Sequence, residues 1–272
     1  MTKIIAEIGW NHMGDINLAR HMIQEAKNSG ADFAKFQTWR VKNLKDGPWD
    51  KDGRRDIYQK AELTNEKHHQ LIDICNEIGI PFLTSVFNPN DVEFVSTLID
   101  QIKIPSSEMR NTKLIENIIT FFKPKENHHI FMSTGSSTWE EIESATKLLK
   151  TNNMNFSILH CVSAYPCPPE ICNLDKIKEL KKLHHSVGYS GHCVGINDAI
   201  VSLEYNVDVI EKHFTTDQTL PGRDNQFAIL PKELKFLCNL RNERNKLQKF
   251  LGKEYLENEK DNRNNYSTRW GD

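Results

Sequence analysis

The sequence lacks a long apolar run and carries almost no net charge. No segment approaches the roughly 20 apolar residues that a membrane-spanning helix requires, and 35 Lys and Arg against 37 Asp and Glu leave a formal net charge of -2. This balance argues against nucleic acid and anionic membrane surfaces as partners. The first residues are typical of a strand and show no signal-peptide pattern. We therefore expect a cytoplasmic protein that binds neither nucleic acid nor membrane.

Cysteine is scarce and is never spaced as Cys-x-x-Cys. Three of the six cysteines, Cys161, Cys167 and Cys172, lie close together in the chain, so metal binding is one interpretation. Reduced structural thiols are the more common use of cysteine in a cytosolic enzyme, and we predict this second role.

A Gly-x-Gly-x-x-Gly motif is also absent after the first apolar run, which argues against an open nucleotide-binding sheet. Short apolar runs instead alternate with segments of helical period. The predicted strands cover residues 4–8, 33–36, 81–85, 102–104, 130–133, 156–159, 186–189 and 209–213. The predicted helices cover residues 18–29, 66–78, a stretch after 90, 113–122, 139–149, 174–183, 198–205 and 232–251.

This strict alternation predicts a parallel sheet, because parallel strands need crossover connections. Eight units in 272 residues favour a closed barrel, which commonly takes roughly 250 residues. We therefore predict a single α/β domain, a (β/α)8 TIM barrel over residues 1–253, with a polar tail over 254–272. A polar insertion over 41–63 carries Trp49, Arg54, Arg55 and Tyr58, and it is either a lid over the active site or a solvated loop.

Polar side chains mark seven of the eight predicted strand ends. Taken singly, each has an ordinary explanation, as half of a structural ion pair or as a hydrogen-bonded core histidine. In a barrel, however, the carboxyl ends of the strands converge on one rim, where the active site lies. The main residues of this set are Glu7, Lys35, Gln37, Ser106, Ser133, Ser163, Tyr165, Ser190, His192, Glu211 and His213.

The residue types in this set narrow the chemistry. Hydroxyls, a lysine and loop amides suit a phosphate. Two imidazoles with oxygen ligands suit a divalent ion such as Mn²⁺, Zn²⁺ or Fe²⁺, and inward carboxylates can move protons or hold sugar hydroxyls. Several reactions fit this combination, among them those of a metal-dependent sugar isomerase or aldolase.

The chain resembles the sialic acid synthase family, which includes N-acetylneuraminate, pseudaminate and legionaminate synthases. Eight ordered motifs carry the resemblance and together span most of the barrel. They are AEIGWNH at residues 6–12, AKFQ at 34–37, KIPS at 103–106, STG at 133–135, LHCVSAYP at 159–166, GYSGH at 188–192, IEKHF at 210–214 and PGRD at 221–224.

The resemblance implies condensation of phosphoenolpyruvate with an N-acetylmannosamine-like aldose, giving a sialic-acid-like 2-keto-3-deoxy sugar acid and phosphate. It implies a divalent metal, with Mn²⁺ expected first and Mg²⁺, Co²⁺ or Zn²⁺ as alternatives, held by His192 and His213. The implied catalytic residues are Glu7, Glu211 and His213. The implied substrate-binding residues are Lys35, Gln37, Ser106, Ser133, Ser163, Tyr165, Ser190 and Asp224.

Three departures from the family pattern qualify this expectation. Gly191 stands where relatives usually have Asp, which we expect to remove a carboxylate beside the metal. His128, with Lys125 nearby, stands where relatives usually have a phosphate-binding Lys. The sequence also ends before the antifreeze-like C-terminal domain of such enzymes, which reaches the partner's active site. A homodimer, or a separate antifreeze-like protein, is therefore an expected partner, and a barrel subunit inactive alone is an alternative.

Overall fold

Eight parallel strands close into a barrel in the computed structural model, which describes residues 1–122 and 127–270. The strands pair in chain order, and β8 pairs with β1 to close the sheet. The predicted (β/α)8 barrel is confirmed. The strands are β1 Lys3–Gly9, β2 Phe33–Thr38, β3 Phe82–Val86, β4 Gln101–Ile104, β5 His129–Ser133, β6 Phe156–Cys161, β7 Val187–Gly191 and β8 Val209–His213.

Helices follow each strand and cover the outside of the barrel. Local signals set their ends: the Asp15 carboxylate accepts hydrogen bonds from the first turn of the first helix, and Gly30 ends that helix with a left-handed φ of 91°. The helices are α1 Ile16–Ser29, α2 Arg54–Ala61, α3 Asn65–Ile78, α4 Val92–Ser96, α5 Thr112–Phe121, α6 Trp139–Thr151, α7 Lys176–Leu183, α8 Asn197–Leu203, α9 Pro231–Leu247 and α10 Lys260–Asn265.

Two segments differ from the sequence-based expectation. The polar insertion over 41–63 is not an irregular loop throughout, because it contains α2 and two short 3-10 turns. The last barrel helix, α9, ends at Leu247 rather than at residue 251. Residues 254–270 are all exposed and include the short α10. Among the described residues no helix is long and apolar enough to cross a membrane.

Side chains alternate between the two faces of each strand. Along β1, for example, Ile4, Ala6 and Ile8 belong to the apolar layer between strands and helices, and Ile5 points into the barrel. A small inner cluster fills the barrel interior toward the amino ends of the strands. The inward-facing polar residues follow it, toward the carboxyl ends. This cluster consists of Ile5, Phe33, Leu83, Phe131, Leu159 and Val209.

Candidate active site

Two lysines and two glutamates form a buried charge network inside the barrel. Lys35 Nζ on β2 lies 2.7 Å from Glu7 Oε2 on β1 and 3.6 Å from Glu211 Oε2 on β8. Lys103 Nζ on β4 lies 3.0 Å from both Glu211 oxygens. All four residues are at least 95% buried. Buried ions need partners of opposite charge. Here two lysines pair with two glutamates, which makes their burial possible.

The same network shifts the pKa values of its two carboxyls in opposite directions. Burial raises the pKa of Glu7 to about 7, although the Lys35 ammonium lowers it in part. Burial would also raise the pKa of Glu211, but the Lys103 and Lys35 ammonium groups outweigh burial and lower it to about 2. Glu211 therefore stays ionised at neutral pH, whereas Glu7 can gain or lose a proton there.

Hydrogen bonds fix the outer members of the network. Gln37 Nε2 donates to Glu7 Oε1 at 2.6 Å, and Ser190 Oγ donates to Glu211 Oε1 at 3.0 Å. Lys35 Nζ also donates to Ser85 Oγ at 2.9 Å. These contacts hold the carboxylates in one orientation, which is what a site needs if it is to act on a fixed substrate.

Serine hydroxyls converge around Gly135, directly after β5. The Gly135 N–H donates to Ser106 Oγ at 3.2 Å. A Cβ atom on Gly135 would lie 2.3 Å from Ser163 Oγ and 2.9 Å from Ser106 Oγ, so only glycine leaves room for both. Ser133 Oγ is buried nearby on β5 and has no hydrogen-bond partner among the described residues. A cradle of donors with an unused hydroxyl is suited to an oxyanion.

His192 and His213 lie side by side, with ring centroids 5.3 Å apart. Burial lowers the pKa of both imidazoles, so both are neutral at pH 7. His192 Nδ1 lies 2.9 Å from the Val162 carbonyl, which accepts a hydrogen bond from the Nδ1–H and leaves the Nε2 lone pair free. His213 Nδ1 is buried without a hydrogen bond, 3.7 Å from Asp224 Oδ2.

This pair of neutral imidazoles fits a divalent metal. Within residues 1–122 and 127–270, no three His, Cys, Asp or Glu side chains converge closely enough to hold an ion alone. Water and substrate oxygens would therefore have to complete the coordination of any bound metal.

Aromatic residues surround the histidines on the outer side of the rim. The Tyr165 ring lies 4.2 Å from that of His192, and the Arg223 guanidinium lies over Tyr165 at 5.5 Å. Asp224 Oδ2 accepts a hydrogen bond of 2.7 Å from Trp10 Nε1, and the Tyr58 ring of α2 packs 5.1 Å from Trp10. Arg223 Nη2 also donates to the Tyr165 carbonyl at 3.2 Å, so the guanidinium is held against this residue at the rim.

The insertion over 41–63 reaches this rim through Tyr58, and Arg54 pairs with Asp52 inside the insertion. Arg55 pairs with Asp50 and Asp46 inside the insertion, and Trp49 Nε1 donates to the Lys45 carbonyl at 2.7 Å. A lid remains a prediction, with Tyr58 as its contact to the site.

Sequence reasoning did not place Lys103 in the site and assigned Cys161 a structural role, yet both side chains point into the barrel. Cys161 Sγ lies 3.3 Å from Ser106 Oγ and 3.8 Å from His192 Nδ1. A signal existed for Lys103, since it is a lone charge in the middle of the apolar strand β4. Among the described residues all six cysteines are free thiols, as predicted.

Two expectations about departures from the family pattern are wrong. A side chain at position 191 would point at Asp198 and the Tyr189 ring, outside the barrel, and so would not lie beside His192 and His213. His128 precedes β5 at the amino end of the barrel, 3.3 Å from Asp100, and cannot reach the opposite rim. Lys125 lies outside the described residues.

Comparison with known proteins agrees with this geometry. N,N'-diacetyllegionaminic acid synthase of Campylobacter jejuni is 37% identical over 253 residues, which cover 87% of this chain and 74% of the relative. Human N-acetylneuraminate-9-phosphate synthase is 33% identical, covering 85% and 67%. The crystal structure of N-acetylneuraminic acid synthetase from Leptospira borgpetersenii, in complex with citrate, superposes with a TM-score of 0.85 at 28% identity, covering 99% and 93%.

The predicted resemblance and the prediction of a condensing enzyme are confirmed by these matches. The model of the NeuB family matches residues 22–264, most of the barrel and all but the first of the strands described above. The chain therefore belongs to the NeuB family.

Proposed function

We propose that this enzyme condenses phosphoenolpyruvate with an N-acetylmannosamine-like aldose and releases phosphate and a sialic-acid-like 2-keto-3-deoxy sugar acid. One observation carries the proposal: two buried lysines and a serine cradle lie on the same rim as two neutral histidines. An anion and a metal-bound oxygen could therefore be held together, as a condensation between phosphoenolpyruvate and an aldehyde requires.

Phosphoenolpyruvate belongs at the lysines and serines. Its carboxylate and phosphate need cations and hydroxyl donors, which Lys35 and Lys103 supply together with the serine cradle. The unpartnered Ser133 hydroxyl supports this placement, because a bound phosphate oxygen would give it the acceptor that the protein does not. The cradle hydroxyls are those of Ser106, Ser133 and Ser163, and the Ser190 hydroxyl, which donates to Glu211, is the fourth that we assign to phosphoenolpyruvate.

The metal belongs at His192 and His213, through the nitrogen atoms that their neighbours leave free. When bound, a divalent ion such as Mn²⁺, or Mg²⁺, Co²⁺ or Zn²⁺, supplies Lewis-acid polarisation of the aldehyde oxygen. The chain's part is to keep both imidazoles neutral by burial and to orient His192 through Val162.

The carboxylates assist the two bond changes at phosphoenolpyruvate. Its C3 attacks the aldehyde carbon, and positive charge develops at C2. Glu211, ionised between the two lysines, stabilises that charge. Water then adds at C2 and gives a proton to Glu7, whose pKa of about 7 suits a base at neutral pH. The alkoxide formed from the aldehyde oxygen takes this proton back from Glu7 and becomes the new hydroxyl. Cleavage of the C–O bond releases phosphate with the bridging oxygen, the C2 hydroxyl gives its proton to the departing phosphate, and the 2-keto acid remains.

The aldose chain extends from the histidines toward the aromatic rim. Gln37, Tyr165 and Asp224 offer hydrogen-bond donors and acceptors to sugar hydroxyls. Beyond them, the Arg223 guanidinium, stacked on Tyr165, donates to oxygen substituents such as an acyl carbonyl.

Steady-state phosphate release tests this function. We expect release only when phosphoenolpyruvate, an aldose and Mn²⁺ are all present. A sugar isomerase or aldolase would convert the aldose without phosphoenolpyruvate, and that result would overturn the proposal. The outward direction of position 191 removes one reason to regard the chain as an inactive subunit.

A further inference from the structure

A second buried ion pair lies outside the barrel interior, between β8 and α8. Lys212 Nζ is 3.0 Å from both carboxylate oxygens of Asp198, and the two side chains are 1% and 3% exposed. By strand alternation Lys212 points away from Glu211 and His213. The pair therefore takes no direct part in binding phosphoenolpyruvate, and its burial needs another reason.

The contacts of this ammonium connect the two histidine-bearing strands. Lys212 Nζ also donates to the Cys193 carbonyl at 2.7 Å. Cys193 directly follows His192, and Lys212 directly precedes His213. The Lys212 side chain therefore links the neighbour of His192 to the neighbour of His213. In addition, Tyr189 on β7 donates to Asp198 Oδ2 at 2.8 Å.

Gly191 is part of the same arrangement. A Cβ atom at position 191 would lie 2.4 Å from Asp198 Oδ2 and 2.6 Å from the Tyr189 ring. The Asp198 carboxylate therefore occupies the volume that a side chain at position 191 would need, and only glycine fits there.

We propose that Lys212 and Asp198 are positioning residues that hold the His192 and His213 imidazoles at the separation a metal requires. Glycine at position 191 makes room for the carboxylate that completes the pair. The role of the metal rests on the proposed function, whereas the placement of the two imidazoles does not.

Substitutions that remove the charge of one or both residues separate positioning from stability. Lys212→Met and Asp198→Asn each leave one buried charge unpaired and should lower the Tm. The double variant removes both charges and should regain most of the lost Tm. Because the connection to the Cys193 carbonyl stays absent, its Kd for Mn²⁺, measured by electron paramagnetic resonance, should remain about tenfold higher than that of the wild type.

Histidine-selective ¹⁵N NMR of the metal-free variants gives a second readout. The double variant should show shifted imidazole resonances for His192 and His213. Wild-type resonances together with wild-type Mn²⁺ affinity in this variant would overturn the proposal and leave a purely structural pair. Lys178→Met, which removes an exposed Lys–Asp pair, is the matched control and should change neither readout. If the wild type bound no Mn²⁺, the proposed metal would fail, and the imidazole resonances would still decide the positioning claim.

A carboxylate exchange tests the shared volume if the double variant does not fold. Gly191→Asp alone should lower the Tm strongly, since two carboxylates compete for one place. Adding Asp198→Ala removes this competition and gives Lys212 a partner again, so part of the lost Tm should return, while the Tyr189 ring, 2.6 Å from the Cβ, still has to move. A Gly191→Asp variant as stable as the wild type would contradict the proposal, as would an added Asp198→Ala that lowers the Tm further.

Discussion

Lys103 on β4 reaches across the barrel to Glu211 on β8, and its Nζ lies 3.0 Å from both carboxylate oxygens. Burial lowers the pKa of Lys103 even though Glu211 raises it in part. The same carboxylate also lies 3.6 Å from Lys35 Nζ, so one anion holds two cations beside the serine cradle. The charges that phosphoenolpyruvate needs are thus in place before it binds.

Lys103→Met should weaken the use of phosphoenolpyruvate. Loss of one hydrogen bond to a charged group costs about 1.5–3 kcal/mol, which corresponds to a fall of roughly ten- to a hundredfold in kcat/KM. Steady-state kinetics with phosphoenolpyruvate as the varied substrate measures it. Lys147→Met, on the exposed face of α6, is the control. An unchanged kcat/KM in the Lys103 variant would remove Lys103 from the anion site.

Glu7 should give the pH profile an ascending limb. Burial raises its pKa to about 7, so the carboxyl is neutral below that pH and becomes a base above it. We expect kcat/KM to rise with pH through about 7, and Glu7→Gln to be slow and to lack this limb. A wild-type rate that falls across this range would assign Glu7 the role of an acid instead.

The raised pKa of Glu7 also predicts that the stability of the fold decreases as the pH rises. A carboxyl whose pKa is raised from 4.5 to about 7 binds its proton more tightly in the folded state. Its contribution to stability is therefore complete below pH 4.5 and is lost as the pH rises through about 7. Thermal denaturation of the wild type relative to Glu7→Gln checks this direction.

Metal removal should abolish activity. Exhaustive chelation should leave no phosphate release, and Mn²⁺ should restore it, because the two neutral histidines are proposed to hold the ion. His192→Ala should not recover at the same Mn²⁺ concentration, whereas His21→Ala, on the exposed surface of α1, should behave as the wild type. Full activity of a demetallated sample would exclude the metal from the reaction.

Arg223 should set selectivity for the acyl group of the aldose. Arg223→Ala should reduce the ratio of kcat/KM for N-acetylmannosamine over mannose by roughly tenfold, since about 1.5 kcal/mol of charge-assisted hydrogen bonding is lost. Arg55→Ala is the matched control, because Arg55 pairs with Asp50 inside the insertion. An equal effect of both variants would point to a general effect of surface charge.

The barrel itself was predictable from the sequence because eight apolar runs alternate with helical segments. The helix α2 was not, since its residues are mostly polar and only Ala61 is buried. Its place depends on contacts such as Tyr58 with Trp10, which no local pattern contains.

The candidate site was predictable in composition but not in pairing. The alternation of side chains along each strand places Lys35, Glu211 and His213 inside the barrel. The same alternation places Gly191 outside it, since the neighbouring Ser190 faces inward. The contact between Lys103 and Glu211 spans 108 positions and exists only because the barrel closes. His128 immediately precedes the first residue of β5, which places it at the amino end of the barrel, away from the rim.

Phosphoenolpyruvate labelled with ¹⁸O at the bridging oxygen tests the central claim most directly. The purified enzyme would be incubated with it, N-acetylmannosamine and Mn²⁺, and both products analysed by mass spectrometry. Condensation with C–O cleavage predicts labelled phosphate and an unlabelled sialic-acid-like keto acid. Label retained in the sugar acid would contradict the proposed cleavage, and the absence of any condensation product, whether or not phosphate is released, would contradict the function itself.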